Sequence, residues 1–217
     1  NDNLNKLEEE KLAKIEGLED LLRPANATQD YAQRVLINPL EPDNDGVSNI
    51  LLGGAGSDII EGRFGDDFID GDAVLRVRLV YNGQEYSSLS QLQAGVFAGT
   101  INPGDITFVR KIAVDPGAEN DVDTAVFFDP YYVSEGECVE FPERTTAYDV
   151  TWLHDDYYEV VHRCGPEFEE SEGQDVINRI EQLTFGDGSC FELARPESGI
   201  RGDAAQLTPC PVQGFVT

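Results

Sequence analysis

Residues Gly53 to Asp72 read GGAGSDIIEGRFGDDFIDGD. Set in register at nine residues, the stretch falls into GGAGSDIIE and GRFGDDFID. Gly53 aligns with Gly62, Gly56 with Gly65, Asp58 with Asp67, and Ile60 with Ile69. Each copy is a turn of glycines and aspartate followed by a short strand. This is the G-G-x-G-x-D-x-U-x pattern, in which U is a large apolar residue. Glycine lets the backbone turn tightly and aim carbonyls inward. The aspartate adds a hard anionic oxygen, and the apolar residue points into a core before the next turn. Carbonyl and carboxylate oxygens together suit calcium, which takes several oxygen ligands. A metal-free Gly/Asp-rich loop has no need to repeat the same glycines, acid and apolar residue in register.

These two copies resemble the hemolysin-type (RTX) calcium-binding repeat of secreted bacterial proteins. The resemblance implies a parallel β-roll in which a pair of nonapeptides makes one coil. Calcium then lies between turns on the same side of the roll, so that each turn faces the next but one. On that pattern Asp58 and Asp67 contribute carboxylates, while Gly54, Gly56, Arg63 and Gly65 contribute carbonyls. The sequence departs from the pattern on both flanks. Counted forward, the partner of Gly53–Asp58 is GDAVLR, Gly71 to Arg76, with Arg76 where an aspartate belongs. Counted back, the partner of Gly62–Asp67 is NDGVSN, Asn44 to Asn49, with Asn49 as a weaker ligand and Leu51 at the inward position. Asp70 and Asp72 stand close enough in sequence to complete a site. The resemblance thus implies one or two calcium ions, not a long array.

The charge fits that reading. Of 217 residues, 42 are acidic and 15 basic, a formal net charge of −27. Such a chain repels itself unless cations neutralise part of it. It lacks the basic stripe that would meet nucleic-acid phosphates, and no apolar run approaches membrane-spanning length. The high charge also favours solubility. With no methionine and no signal peptide at Asn1, the chain reads as a mature product or a piece of a longer one. Cys138, Cys164, Cys190 and Cys210 are not spaced for zinc. An even number suits disulfides in an extracellular chain. Of three possible connectivities, Cys138–Cys164 with Cys190–Cys210 closes the most local loops.

Around the repeats, residues 3–23 carry Leu4, Leu7, Leu12, Ile15, Leu18, Leu21 and Leu22 largely on one face, which predicts a helix stopped by Pro24. It reads as a cap on the end of the roll, or as a docking helix for another domain or chain. A Pro-punctuated linker follows. Ala73 to Tyr81 alternates and predicts a strand, and Asn82-Gly83 a turn. Ser87 to Gly99 predicts a short helix, and Ile101 to Val114 a turn then a strand. AYDVTWL and YYEVVHR predict a hairpin around an acidic HDD turn, His154 to Asp156. The expected architecture is mainly β: a calcium-binding β-roll over 44–80, then an antiparallel β-rich, disulfide-containing region over 81–217, with the N-terminal helix and linker over 1–43.

The segments DGDAVLRVRL, LQAGVFAGTINPGDI, DVDTAVFFD and GQDVINRIEQLTFGDG are similar to the region that follows RTX repeats in secreted bacterial proteins bearing an animal-type haem peroxidase domain. The chain's two histidines, His154 and His162, offer no assembled catalytic centre, and no carboxylate pair stands out as acid and base. Arg201-Gly202-Asp203 spells the integrin tripeptide and reads as chance. The expectation is therefore a secreted, calcium-binding structural module that folds after export and positions an attached domain or another chain. The alternatives are the C-terminal part of a haem-peroxidase-like oxidase, and an adhesive filament or matrix subunit.

Overall fold

The computed structural model describes residues 14–22, 49–63, 65–114, 121–127, 131–134, 137–140, 148–162, 174–186 and 188–211. In chain order the strands are β1 (Ile15–Glu16), β2 (Ile50–Leu52), β3 (Ile59–Glu61), β4 (Phe68–Asp70), β5 (Ala73–Tyr81), β6 (Gln84–Tyr86), β7 (Thr107–Val114) and β8 (Thr124–Phe127). They continue with β9 (Tyr131–Ser134), β10 (Glu137–Glu140), β11 (Tyr148–His154), β12 (Tyr157–His162), β13 (Gln174–Asn178), β14 (Gln182–Phe185), β15 (Cys190–Ala194) and β16 (Gln206–Pro209). Among the described residues, helix is confined to short pieces, the longest being Leu18–Leu22 and Gln93–Phe97. No helix among the described residues is long and apolar enough to cross a membrane. The protein is mainly β.

The chain divides into two compact units, one of residues 1–24 and 74–113, the other of 25–73 and 114–217. The smaller unit holds a four-stranded sheet in the order β1-β7-β5-β6. Strand β5 covers the predicted residues Ala73–Tyr81, and Asn82 and Gly83, at φ 49° and 75°, make the predicted turn into β6. Among the described residues, the predicted N-terminal helix is seen only over Leu18–Leu22. Ile15 and Glu16 instead pair in parallel with Arg110 and Lys111 of β7. Gly17, at φ 84°, separates the strand from the helical turn. Strand pairing on the edge of β7 holds Ile15 and Glu16 here, with Glu16 lying 3.5 Å from Lys111.

The larger unit contains two five-stranded sheets, β11-β12-β13-β4-β2 and β16-β15-β14-β8-β3. In each, three strands run parallel and two are added antiparallel. The region after the repeats is thus not purely antiparallel as expected: β8, β13 and β14 extend the sheets of the repeat strands in parallel. Leu51, Ile69 and Ile177 lie in register across the first sheet, and Ile60, Ala125 and Leu183 across the second. Ile69, Ala125, Ile177 and Leu183 are fully buried, and Leu51 and Ile60 pack against them. Each short strand therefore sends an apolar side chain inward at the position the nonapeptide spacing requires, and β8 and β14 add Phe127 and Phe185. Phe127, Tyr148 and Phe185 fill the far end of this core, with ring centroids 5.1–6.1 Å apart.

The predicted hairpin forms from β11 and β12, turning at Asp155 and Asp156, with His154 inside the strand. Cys190 and Cys210 form the expected disulfide between β15 and the end of β16. Cys164 lies outside the described residues, and so does its pairing with Cys138; so do residues 3–13 of the predicted helix. Replacing Ile177 by Ala should cost on the order of 3 kcal/mol, because a fully buried branched side chain leaves a cavity between close-packed sheets. Thermal unfolding by circular dichroism reads this as a fall in Tm of roughly 10 °C.

Candidate metal centre

The two repeat turns share one backbone course. Gly54 and Gly56 lie at φ 98° and 95°, and their counterparts Arg63 and Gly65 at 70° and 110°. The four residues expected to lend carbonyls thus occupy the same alternate left-handed positions. Arg63 does so without glycine's freedom, and its guanidinium pairs with Glu61 at 3.4 Å.

At the end of each turn stands an acid or amide, two residues ahead of the inward apolar side chain. These residues stack. Asn49 N–H donates to Asp67 Oδ1 at 2.6 Å, and Asp67 N–H donates to Asp175 Oδ1 at 2.7 Å. On the other side Asp58 N–H donates to Asp123 Oδ1 at 2.7 Å, and Asp123 N–H to Glu181 Oε2 at 2.8 Å. The larger unit therefore carries two columns: Asn49–Asp67–Asp175 ahead of β2, β4 and β13, and Asp58–Asp123–Glu181 ahead of β3, β8 and β14. Asn49 faces Asp67 as expected from the repeat. Asp121 and Asp66 flank the columns, accepting from Gly56 N–H and Gln174 N–H at 2.9 Å each.

One sequence-derived partner is replaced. Gly71 does stack on the first turn, with Gly54 N–H donating to its carbonyl at 2.7 Å. Arg76, however, lies inside β5. The chain leaves the turn at Ala73 and supplies the acid from far downstream, as Asp123. Asp123, Asp175 and Glu181 escaped the sequence reading because no glycine frame precedes them. The available signal was the acid two residues before a core position: Asp123 before Ala125, Asp175 before Ile177 and Glu181 before Leu183.

Asp67 and Asp123 each use one oxygen in the stack and leave the other over, while Asp58 joins its column through its own N–H. Asp58 Oδ2, Asp67 Oδ2 and Asp123 Oδ2 are buried and accept no hydrogen bond. All three point at a glycine. A Cβ at Gly53 would stand 2.8 Å from Asp58 Oδ2, and Cβ atoms at Gly62 and Gly71 would collide with Asp67 Oδ2 and Asp123 Oδ2. These orphaned oxygens beside glycine hollows fit a hard cation. No group of three or more His, Cys, Asp or Glu side chains converges as metal ligands among the described residues. A cation here would draw most of its ligands from turn carbonyls. Asp70 and Asp72 are placed differently: Asp70 is engaged by Asn178 and Arg179, and Asp72 lies 3.8 Å from Arg179. His154 is buried, with its ring 4.7 Å from that of Tyr157.

Burial raises the proton affinity of these acids. It pushes the Asp67 carboxyl up to about 7, against the lowering effect of the Asn49 hydrogen bonds. Burial, then the charge of Asp123, pushes Asp72 up to about 6. Asp123 and Glu181 are also raised, in both cases chiefly by burial.

A carboxylate whose pKa is higher in the folded than in the unfolded chain binds more protons when folded. The protein without any bound metal should therefore lose stability as pH rises from about 4 to about 7, with Asp67 responsible for the upper part of that window. The expected loss in calorimetry is on the order of 2 kcal/mol, or about 4–8 °C in Tm. Asp67→Asn should flatten the slope.

Compared with family models, curated proteins and solved structures, the chain matches none. Its function rests on its own residues.

Proposed function

We propose that the chain is a calcium-binding structural module of a secreted bacterial protein, and that its parallel strands form a β-roll whose turns close on calcium after export. The single observation that carries this reading is the set of orphaned oxygens on Asp58, Asp67 and Asp123, each buried and aimed at a glycine hollow. The parallel triplets β2-β4-β13 and β3-β8-β14, with an inward apolar residue in register on every strand, support the roll. The disulfide Cys190–Cys210 supports an oxidising compartment.

Bound calcium would supply positive charge and oxygen coordination at the turns. The residues do the rest. Asp58 and Asp67 hold one oxygen on each side of the roll, fixed in place by the N–H bonded to the other oxygen or to the next rung. Gly53 and Gly62 keep the space open. Arg63, Gly54, Gly56 and Gly65 set the course that brings carbonyls round. Without neutralisation the acids repel one another and resist burial, which keeps the turns open where free calcium is scarce. Where it is plentiful, binding free energy becomes folding free energy. The product is a folded platform that positions an attached domain or another protein chain.

Metal-stripped protein titrated with calcium should gain β signal in far-UV circular dichroism, with a midpoint near ~10⁻⁴–10⁻³ M, as extracellular sites commonly show. Gly62→Ala should raise the midpoint on the order of tenfold, since crowding of a packed hollow costs ~1–3 kcal/mol. An unchanged spectrum across the titration, with no heat of binding in calorimetry, would sink the proposal.

A further inference from the structure

The turn at Asp70–Asp72 differs from the other acid-bearing turns, and the difference lies in Arg179. Asp70 is fully buried. Its Oδ1 accepts from Ala73 N–H at 2.8 Å, Asp72 N–H at 3.1 Å and Arg179 Nε at 3.1 Å. Its Oδ2 accepts from Asn178 Nδ2 at 2.8 Å and from Arg179 Nη2. Both oxygens are thus saturated, whereas Asp58, Asp67 and Asp123 each keep an oxygen with no donor. A carboxylate with this many donors has no lone pair left for a metal.

Arg179 is held for this task by its backbone. It occupies the left-handed region at φ 50°, uncommon for a non-glycine residue. Its neighbour Asn178 accepts Gly71 N–H through its carbonyl at 3.1 Å. A Cβ at Gly71 would collide with the Arg179 carbonyl, so the close approach requires glycine at that position. The guanidinium meets Asp70 through a planar fork and also reaches Asp72, Nε to Oδ2 at 3.8 Å. Around Asp72 the other charges that act are Asp123, Glu181 and Asp70, all negative. The guanidinium is the cation that offsets them.

We propose that Arg179 is a built-in substitute for calcium. Its side chain fills the place between Asp70 and Asp72 that a metal would otherwise occupy, and so decides which turns of the roll need calcium and which do not. The inference rests on the calcium-binding reading given above. It divides the larger unit into a part held without metal, where β4 and β13 meet through Asp70, Asn178 and Arg179, and a part completed by calcium at the turns bearing Asp58 and Asp67. Arg179 sets the stoichiometry: removing its charge frees Asp70 and Asp72 beside Asp123 and Glu181, and these acids then require an external cation.

The test compares full-length wild type, Arg179→Gln and Arg179→Lys in chelator and in millimolar calcium. Amide exchange is followed by mass spectrometry over residues 68–73 and 176–182, and binding by calorimetry. In chelator, wild type should protect these segments. Arg179→Gln should lose that protection by at least ~100-fold, because a buried carboxylate is left without its charged partner. Calcium should restore it, with a binding event that wild type lacks. Arg179→Lys, which keeps the charge, should stay protected in chelator. Two results overturn the proposal: Arg179→Gln protected in chelator, or Arg179→Gln unprotected and not rescued by calcium. If wild type binds no calcium at all, the reading of the repeat turns fails. Calcium rescue of Arg179→Gln would still stand by itself as proof of the substitution.

Discussion

A main-chain N–H at the end of one turn donates to the carboxylate at the end of the next, and the repetition of that bond keeps the two sheets of the larger unit in register. Asp67 to Asp175 and Asp58 to Asp123 are the central examples. Inward positions are then fixed by arithmetic, because the core residue lies two places after each stacked acid. The arrangement has a cost. A carboxylate brought into the interior wants both oxygens satisfied, and the backbone of a neighbouring rung satisfies only one. The leftover oxygens of Asp67 and Asp123 are therefore not accidents of side-chain placement. They follow from using an acid as a rung connector. Such a fold must protonate its acids, admit a cation, or supply one from its own sequence, and the raised pKa of Asp67 and the fork of Arg179 are two of these responses.

The distribution of charge bears on the same constraint. Residues 74–113 hold four basic residues, Arg76, Arg78, Arg110 and Lys111, against two acids, Glu85 and Asp105. The strong negative charge of the chain is thus carried outside this insertion, by the segments that include the acid columns. Solubility alone would not require such segregation. Repulsion that a cation can relieve is of most use where the relieved groups are also the structural connectors.

Local features were legible in the sequence and distant ones were not. The glycine turns, strand β5, the Asn82-Gly83 turn, the β11–β12 hairpin and Cys190–Cys210 depend on neighbouring residues, turn chemistry or short loops. The facing of Asn49 on Asp67 was also readable, since both lie within the repeats. Asp123 was not. Its partnership with Asp58 depends on where the chain returns after the inserted unit, and pairing register between remote strands leaves little trace in either segment. The departure from the predicted N-terminal helix at Ile15–Glu16 has a related reason: these residues meet the edge of β7, a tertiary partner that the leucine spacing does not reveal. The role of Arg179 could be seen only once Asp70 was in place beside it.

The rung bonds span long stretches of chain. Asp67 and Asp175 are separated by 108 residues, and Asp58 and Asp123 by 65. Loops of this size must close before the contacts that reward them can form, which slows folding. A chain that becomes available from its N-terminal side onward cannot complete the middle of this structure early, because the second halves of the long-range rungs Asp67–Asp175 and Asp58–Asp123 lie far downstream. The glycine turns wait for β13 and β14. The topology is itself a timer: completion of the two columns is tied to delivery of residues near 180, whatever the ionic conditions met by the leading end.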